Sequence, residues 1–228
     1  MSAREWVELV EATLRPVADP VKAIPMRAYM KDICPFLGIP KPERALLHKR
    51  FGFPDTGHEI EACHLLYQLP EREFHYIATV VLRKRANHLP IQAMPDVKTF
   101  VQTKSWWDTV DELTKVVGAL VMQHQTLIPE LDDWVRDQDF WVNRAAILHQ
   151  LNFGEKTNVD RLFRLSLVQA KNPEFFIRKA IGWALRDYAW TDPEAIRTFV
   201  LEHRSEFSPL TIREALKNLH PPIFTSYV

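Results

Sequence analysis

Apolar residues recur at three- and four-residue spacing from one end of the chain to the other. This spacing is typical of amphipathic α-helices, whereas alternation over strand lengths is hard to find. Glycine is scarce, and prolines fall where a helix would begin or end, which is where they disturb helical hydrogen bonding least. The pattern predicts an all-α fold, with helices at about 2–15, 20–33, 42–51, 57–69, 71–86, 91–102, 106–122, 126–136, 139–152, 158–170, 173–189, 193–205 and 208–219.

The predicted helices also repeat as pairs. The second helix of successive pairs recurs at about 33–34 residues and carries an aromatic residue near its start. These residues are Phe74, Trp106, Phe140 and Phe175. A repeat of this length indicates a HEAT- or TPR-like α-solenoid, in which equivalent positions line one, usually concave, surface. Asp111, Arg144 and Lys179 would then be neighbours on that surface, and residues 1–228 would form a single domain.

Two adjacent tryptophans begin the helix predicted at 106–122. Ser105 is a candidate N-cap for it. At about 100° per residue, Trp106 falls on the apolar stripe that faces the core, while Trp107 and Asp111 project together from another face, one turn apart. An indole beside a carboxylate is a candidate functional site. The alternative is that Trp107 packs against a neighbouring helix and Asp111 is a solvated charge.

The helix predicted at 173–189 is divided in the same way. Ile177 and Ile181 lie on its apolar stripe, and Lys179, Trp183 and Arg186 lie on an adjoining face. Two tryptophans, one carboxylate and a row of cations on these two helices suit a ligand that is flat, cationic or phosphate-bearing. The alternative is an aromatic ridge that packs under the next helix, with its charges solvated.

Composition limits the classes of protein that remain. With 228 residues and 46% hydrophobic content, the chain is long enough to bury a sizeable core. Its 29 basic and 29 acidic residues argue against indiscriminate nucleic-acid binding, but they allow one basic face on a neutral molecule. Cys34 and Cys63 have no metal or redox spacing, which predicts reduced thiols and a cytoplasmic protein. No apolar run is long enough for a membrane span.

Several common catalytic motifs are missing from the sequence. There is no P-loop, no Gly-x-Gly-x-x-Gly, no His-Glu-x-x-His and no Gly-x-Ser-x-Gly elbow. The nine histidines are dispersed without the spacing of metal ligands. We therefore expect neither a bound metal nor a cofactor.

Seven short segments are similar, in the same order, to motifs of one known family. They are MRAYMK (26–31), FLGI (36–39), PER (42–44), LPEREF (69–74), TKSWWD (103–108), RAAIL (144–148) and KAIGWALR (179–186). Together they make the chain, from about residue 18 to 218, resemble the AlkD family of DNA alkylation repair glycosylases. One segment departs from the family's pattern, because the resemblance leads us to expect Thr-Pro-Glu-Arg-Arg where residues 41–45 are Lys-Pro-Glu-Arg-Ala.

The resemblance implies HEAT-like helix repeats that wrap double-stranded DNA against a concave basic face. It implies excision of N3- and N7-alkylated purines by hydrolysis of the N-glycosidic bond, without metal or cofactor and without flipping the base. The family's catalytic trio of two tryptophans and an aspartate matches Trp107, Trp183 and Asp111. Its DNA-contacting arginine matches Arg144, and its tyrosine near the nucleotide matches Tyr29.

The remaining predicted DNA contacts are cations that would neutralise phosphates and fix the register of the duplex. They are Lys31, Lys41, Arg44, Lys104, Lys179 and Arg186. A free concave face favours a monomer, and the segment 220–228 is predicted to be an irregular tail. Two alternatives stay open: a non-catalytic sensor of distorted or branched DNA on the same scaffold, and a solenoid that binds only proteins.

Overall fold

The computed structural model describes residues 1–219, and every regular element within that range is helical. The all-α prediction is confirmed, and each predicted helix has a counterpart. The α-helices are α1 Ala3–Leu14, α2 Pro20–Tyr29, α3 Lys41–Phe51, α4 Glu59–Gln68, α5 Arg72–Arg85, α6 Met94–Gln102, α7 Trp107–Gln123, α8 Ile128–Trp134, α9 Phe140–Leu148, α10 Val159–Val168, α11 Phe175–Tyr188, α12 Pro193–Glu202 and α13 Pro209–Ala215. Short 3-10 turns stand at Arg15–Val17, Ala86–His88, Ile91–Ala93, Gln125–Leu127 and Gly154–Lys156.

Several helices end a few residues earlier than the sequence predicted, and in two of them left-handed residues lie at or just beyond the end. The helix predicted at 20–33 stops at Tyr29, because Lys31 and Asp32 both adopt left-handed backbone conformations with φ near 57°. The helix predicted at 139–152 stops at Leu148, and Asn152 beyond it has φ 65°. A left-handed residue turns the chain out of the helix, and non-glycine residues rarely adopt this conformation, so apolar periodicity could not reveal either stop.

The chain divides into two compact units, one comprising Met1–Val116 and the other beginning at Val117. In the first unit, α1 packs against α3 and α4, and α4 packs against α5. Trp6 is fully buried there, and its indole Nε1 donates to the carbonyl of Phe51 at 3.1 Å. The anchored indole ties α1 to the end of α3, since a buried N–H requires a partner.

In the second unit, α9 packs against α8, α10 and α11, while α11 also packs closely against α13. The α11–α13 contact depends on Gly182. A Cβ atom at this position would lie 2.5 Å from Cβ of Glu214 and 2.9 Å from the carbonyl oxygen of Thr211. Only glycine permits this approach, which brings Glu214 next to α11.

Other sequence-based expectations can be compared with the described residues. Cys34 and Cys63 are free cysteines, and both are buried. Within residues 1–219, no helix is long and apolar enough to cross a membrane, and no group of His, Cys, Asp and Glu side chains is arranged to hold a metal ion. The predicted irregular tail, 220–228, lies outside the described residues.

Candidate nucleic-acid interface

The first candidate residues lie on α7. Trp107 is the first residue of this helix and Asp111 follows one turn later, and both are half-buried. Trp107 packs against a buried cluster of Met30, Cys34 and Phe36. The edge of the Tyr29 ring meets the Trp107 indole, with ring centroids 6.4 Å apart, and Tyr29 itself is 70% exposed. The structure therefore brings two of the sequence-predicted residues, Tyr29 and Trp107, into direct contact.

The predicted contrast between the two adjacent tryptophans is wrong in part. Trp106 was expected in the core and Trp107 away from it, but both are half-buried and pack against the same cluster. The predicted N-cap is also wrong, because the Ser105 hydroxyl donates to the carbonyl of Val101 at 2.5 Å. The carboxylate of Asp108 instead accepts from the backbone N–H of Thr109 at 2.9 Å in the first turn of α7.

A buried ion pair holds this first turn. The Arg72 guanidinium is fully buried on α5 and binds the Asp108 carboxylate with two nitrogens, Nε lying 3.0 Å from Oδ2. Arg72 also donates to the carbonyl of Lys104 at 2.6 Å and to the Thr109 hydroxyl at 3.0 Å. Four contacts from one planar group fix both the approach to α7 and its first turn.

Tyr76 completes the network around Asp108. Its hydroxyl donates to Asp108 Oδ2 at 2.6 Å. Burial and the neighbouring Asp108 carboxylate raise the pKa of Tyr76 well above its usual value, so the hydroxyl stays protonated and remains a donor. Sequence analysis missed Arg72 and Tyr76 as supports of the site. The available signal was an arginine and a tyrosine four residues apart, which places them on one face of the helix predicted at 71–86.

A groove of about 370 Å³ opens beside Trp107 in the first unit. We call it the Trp107 groove; it is lined by Met26, Lys41, Arg44, Tyr76, Thr79, Val80, Arg83, Trp107, Asp108 and Glu112. The Arg44 guanidinium lies 4.3 Å from the centre of the Tyr76 ring and donates to the Ile39 carbonyl at 3.2 Å. Arg83 forms an ion pair with Glu112 at 3.0 Å. Cations, aromatic rings and two carboxylates thus line the same groove.

Three predicted phosphate ligands of the first unit have distinct surroundings. Lys41 is exposed as the first residue of α3, and this helix has Pro40 at its N-cap and no side-chain cap. Lys31 is exposed in the left-handed turn after α2. The Lys104 ammonium donates to the carbonyls of Leu69 and Tyr67 at 2.9 and 3.3 Å, so it holds the end of α4.

In the second unit, the structure brings Arg144 and Trp183 together. The Arg144 guanidinium lies 6.0 Å from the centre of the half-buried Trp183 ring and 5.9 Å from that of Phe176. One of its nitrogens donates to the carbonyl of Phe176 at 2.6 Å. Arg144 is only 4% exposed, so it reaches solvent with a small part of its side chain.

A carboxylate that sequence analysis missed lies against the face of α11 that was predicted to be basic. Glu214 on α13 pairs with Lys179 at 2.9 Å and with Arg186 at 2.6 Å. Burial of the Glu214 carboxyl disfavours its charged form, but the hydrogen bonds from Lys179 and Arg186 outweigh burial and lower its pKa. Glu214 belongs to another helix, so the spacing within α11 gave no signal of it.

Comparison with solved structures supports the helical architecture. A structure described as a predicted DNA alkylation repair enzyme from Enterococcus faecalis is 34% identical, with a TM-score of 0.81, and the alignment covers 90% of this chain and 97% of that chain. AlkD2 and smu.31, both from Streptococcus mutans, are each 16% identical, with TM-scores of 0.65 and 0.62. Their alignments cover 96% and 86% of this chain and 100% and 98% of those chains. At this identity the two Streptococcus structures show the fold alone.

The comparison by sequence is consistent with the structural one. No curated protein matches the chain with significant similarity. The family model for DNA alkylation repair enzymes, however, matches residues 10–219, which is nearly the whole chain. The chain therefore belongs to the family of DNA alkylation repair enzymes.

Proposed function

We propose that this protein is a monofunctional DNA glycosylase that hydrolyses the N-glycosidic bond of cationic N3- and N7-alkylated purines in duplex DNA. Membership of the family supports a role in DNA repair. The observation that carries the finer proposal is the Trp107–Asp111 pair, an indole and a carboxylate one turn apart on α7, whose first turn is fixed by Arg72. The Trp107 groove, which Trp107 itself lines, supplies cations for phosphate.

The chemistry of the substrate explains why such a site suffices. An N3- or N7-alkylated purine already carries a positive charge, so it leaves as a neutral base and needs no general acid. The bond between C1′ and the purine nitrogen breaks, and its electron pair goes to the purine. Positive charge then builds up on the deoxyribose, and this charge is what the protein must stabilise.

Asp111 is the residue we assign to that task. An ionised carboxylate held close to the sugar stabilises the oxocarbenium-like transition state and orients the water that adds to C1′. The water loses a proton as the abasic sugar forms, and the Asp111 carboxylate would accept this proton before it passes to solvent. The carboxylate interacts more strongly with the cationic transition state than with the ground state. Only an interaction with this difference raises the rate.

Trp107 provides an indole face for the cationic nucleotide, and the family resemblance assigns Trp183 the same task. Stacking or cation–π contact with such a face contributes on the order of 0.5–2 kcal/mol, and more when water is excluded. An undamaged, neutral base gains less from both the indole and the carboxylate. We infer that the enzyme selects lesions by charge and that it acts without flipping the base.

We further propose that the protein works as a cytoplasmic monomer on a concave basic face, with Tyr29 beside the nucleotide. Lys31, Lys41 and Arg44 would contact phosphates in the first unit, and Arg144 in the second. Neutralised phosphates release condensed counterions, so duplex affinity should fall steeply as salt rises.

The test is incubation of the purified protein, in EDTA, with duplex DNA that contains N7-methylguanine. We expect free N7-methylguanine and abasic sites in equal amounts, because hydrolysis of one bond yields one of each and needs no metal. Chromatography of the free base and cleavage of abasic sites by alkali measure the two products. Salt-sensitive duplex binding without base release would contradict the glycosylase proposal and would favour a non-catalytic sensor of distorted DNA.

A second prediction concerns the carboxylate that neutralises α11. Glu214→Gln should tighten duplex binding and steepen its dependence on salt, because Lys179 and Arg186 no longer share their charge with Glu214. Two released cations would change the slope of log Kd against log salt by up to about 2. Fluorescence anisotropy over a range of salt concentrations measures this slope. Glu155→Gln, at an exposed acid of the same unit, is the matched charge control, and equal slopes for both variants would remove Lys179 and Arg186 from the interface.

A further inference from the structure

A second concave surface lies on helices that carry none of the proposed catalytic residues. It is a groove of about 1020 Å³ between α10 and α12 in the second unit. We call it the α10–α12 groove; it is lined by Asp160, Phe163, Leu167, Phe199, Glu202 and their helical neighbours. On α10 the lining positions are spaced by three and four residues, so they form one continuous face of that helix.

The floor of the groove is apolar and contains a stacked pair of aromatic rings. The rings of Phe163 and Phe199 stack in parallel, with centroids 3.9 Å apart and planes inclined by 3°. Phe199 also contacts Phe207 at 5.7 Å between centroids, which anchors the stack to the buried side of the unit. Leu167 and Val168 remain partly exposed beside the stack. A repeat helix needs apolar residues on the face it buries, so this second apolar row requires another explanation.

The rim of the groove carries uncompensated negative charge. Its arginine, Arg164, is bound by both carboxylate oxygens of Asp132 at 2.9 and 3.2 Å. Within residues 1–219, Asp160 and Glu202 are exposed and have no ion-pair partner. Glu202 is the last residue of α12, where the helix dipole disfavours a carboxylate, and no basic residue occupies that last turn. At this exposed position the cost is small, and a cation brought by a ligand would remove it.

We propose that the α10–α12 groove binds an amphipathic helix of a partner protein, with apolar side chains on one face and lysine or arginine along its edges. The apolar side chains would lie on the Phe163–Phe199 stack, and the cations would pair with Asp160 at one end of the groove and Glu202 at the other. Helix α10 has ten residues, which corresponds to a length of about 15 Å. About three turns of a partner helix therefore fill the groove.

DNA is a poor occupant of this surface. Phosphates would be repelled by Asp160 and Glu202, and the arginine of the lining is already paired with Asp132. Binding of a basic helix is independent of base release, so the proposal does not rest on the proposed glycosylase activity. Its test can therefore fail or succeed separately.

The experiment uses the full chain and a fluorescein-labelled synthetic peptide of about 14 residues, with leucine at i, i+3, i+4 and i+7 spacing and lysine and alanine elsewhere. A matched peptide carries glutamate in place of lysine. By fluorescence anisotropy we expect saturable binding of the lysine peptide and at least about 10-fold weaker binding of the glutamate peptide. The double variant Asp160→Lys/Glu202→Lys should weaken binding of the lysine peptide by about 10-fold or more.

Controls separate this groove from general attraction to acidic surface. Asp133→Lys/Glu155→Lys makes the same change in net charge at exposed positions of the same unit outside the groove, and it should leave peptide binding within about 2-fold of the unchanged protein.

Leu167→Gln tests the floor and should weaken binding, while thermal unfolding confirms that each variant is folded. Equal binding of the two peptides, or equal loss in the two charge-reversed variants, would overturn the proposal. Weaker binding of an unmodified duplex to Leu167→Gln would assign the groove to nucleic acid instead and would also overturn it.

Discussion

Replacement of Asp111 by asparagine should lower the single-turnover rate of N7-methylguanine release by about 100- to 1000-fold, the loss typical when one preorganised electrostatic contact to a transition state is removed. The amide keeps the size of the side chain and removes its negative charge. The cation that develops on the deoxyribose then loses its counter-charge, whereas the ground-state complex loses little. Duplex affinity should therefore stay nearly unchanged while the rate falls, and rapid-quench assays with anisotropy titrations measure the two effects.

Glu112 offers a matched control for this experiment. It is adjacent to Asp111 on α7, and its carboxylate pairs with Arg83 at 3.0 Å and with Lys115 at 2.8 Å. Glu112→Gln makes the same chemical change one position away. Because Glu112 lines the Trp107 groove, its duplex affinity is expected to change, but the rate of base release at saturating protein should stay within a few-fold, since a partly exposed ion pair contributes about 0–1 kcal/mol. Equal losses of rate in the two variants would show that Asp111 has no specific role in the reaction.

Local pattern was sufficient to predict most of the fold. Three- and four-residue spacing located the helices, because each helix must bury one apolar stripe. The errors lie at helix ends, where the conformation of one or two residues determines where the helix stops or how it is capped. Lys31 and Asp32 end α2 by turning left-handed, and Ser105 donates to Val101 instead of capping α7. Neither choice is encoded in the periodicity of the chain.

In the candidate site, residues that share one helix could be predicted from sequence, whereas their partners on other helices could not. One helical turn relates Trp107 to Asp111, and helical spacing on α11 relates Lys179, Trp183 and Arg186, so these sets could be chosen from sequence. The partners that set their charge and position come from other helices. Glu214 lies 28 residues beyond Arg186, and Asp108 lies 36 residues beyond Arg72. Contacts between residues so far apart in sequence depend on how the helices pack together. The spacing of residues within one helix does not predict such contacts.

The Arg72–Asp108 pair also connects stability with the proposed chemistry. Arg72 binds the carbonyl of Lys104, just before α7, and the hydroxyl of Thr109, just inside it. Trp107 lies between these two points, and Asp111 follows one turn later. A change in the position of this turn would move the indole and the carboxylate together. The buried network therefore supports the part of the site that lies in the first unit.

Arg72→Met should reduce the free energy of unfolding by about 3–5 kcal/mol, the cost typical when one partner of a buried ion pair is removed. The methionine fills part of the volume, but the Asp108 carboxylate is left in a buried position with the Tyr76 hydroxyl and the Thr109 amide as its remaining donors. Urea unfolding followed by far-UV circular dichroism measures the change. Because the chain has two compact units, the transition that contains the first unit is the one expected to shift.

Two further variants test whether the loss of stability in Arg72→Met comes from the buried ion pair or from the loss of any arginine charge. Arg83→Met removes an arginine whose side chain is 39% exposed and should cost no more than about 1 kcal/mol. In Arg72→Met/Asp108→Leu, no unpaired carboxylate remains, so the double variant should be more stable than Arg72→Met alone, with a coupling free energy of about 0.5–3 kcal/mol. If Arg72→Met loses no more stability than Arg83→Met, the Asp108 carboxylate is satisfied without Arg72. In that case the first turn of α7 is held by the packing of Trp106 and Trp107 against Met30, Cys34 and Phe36.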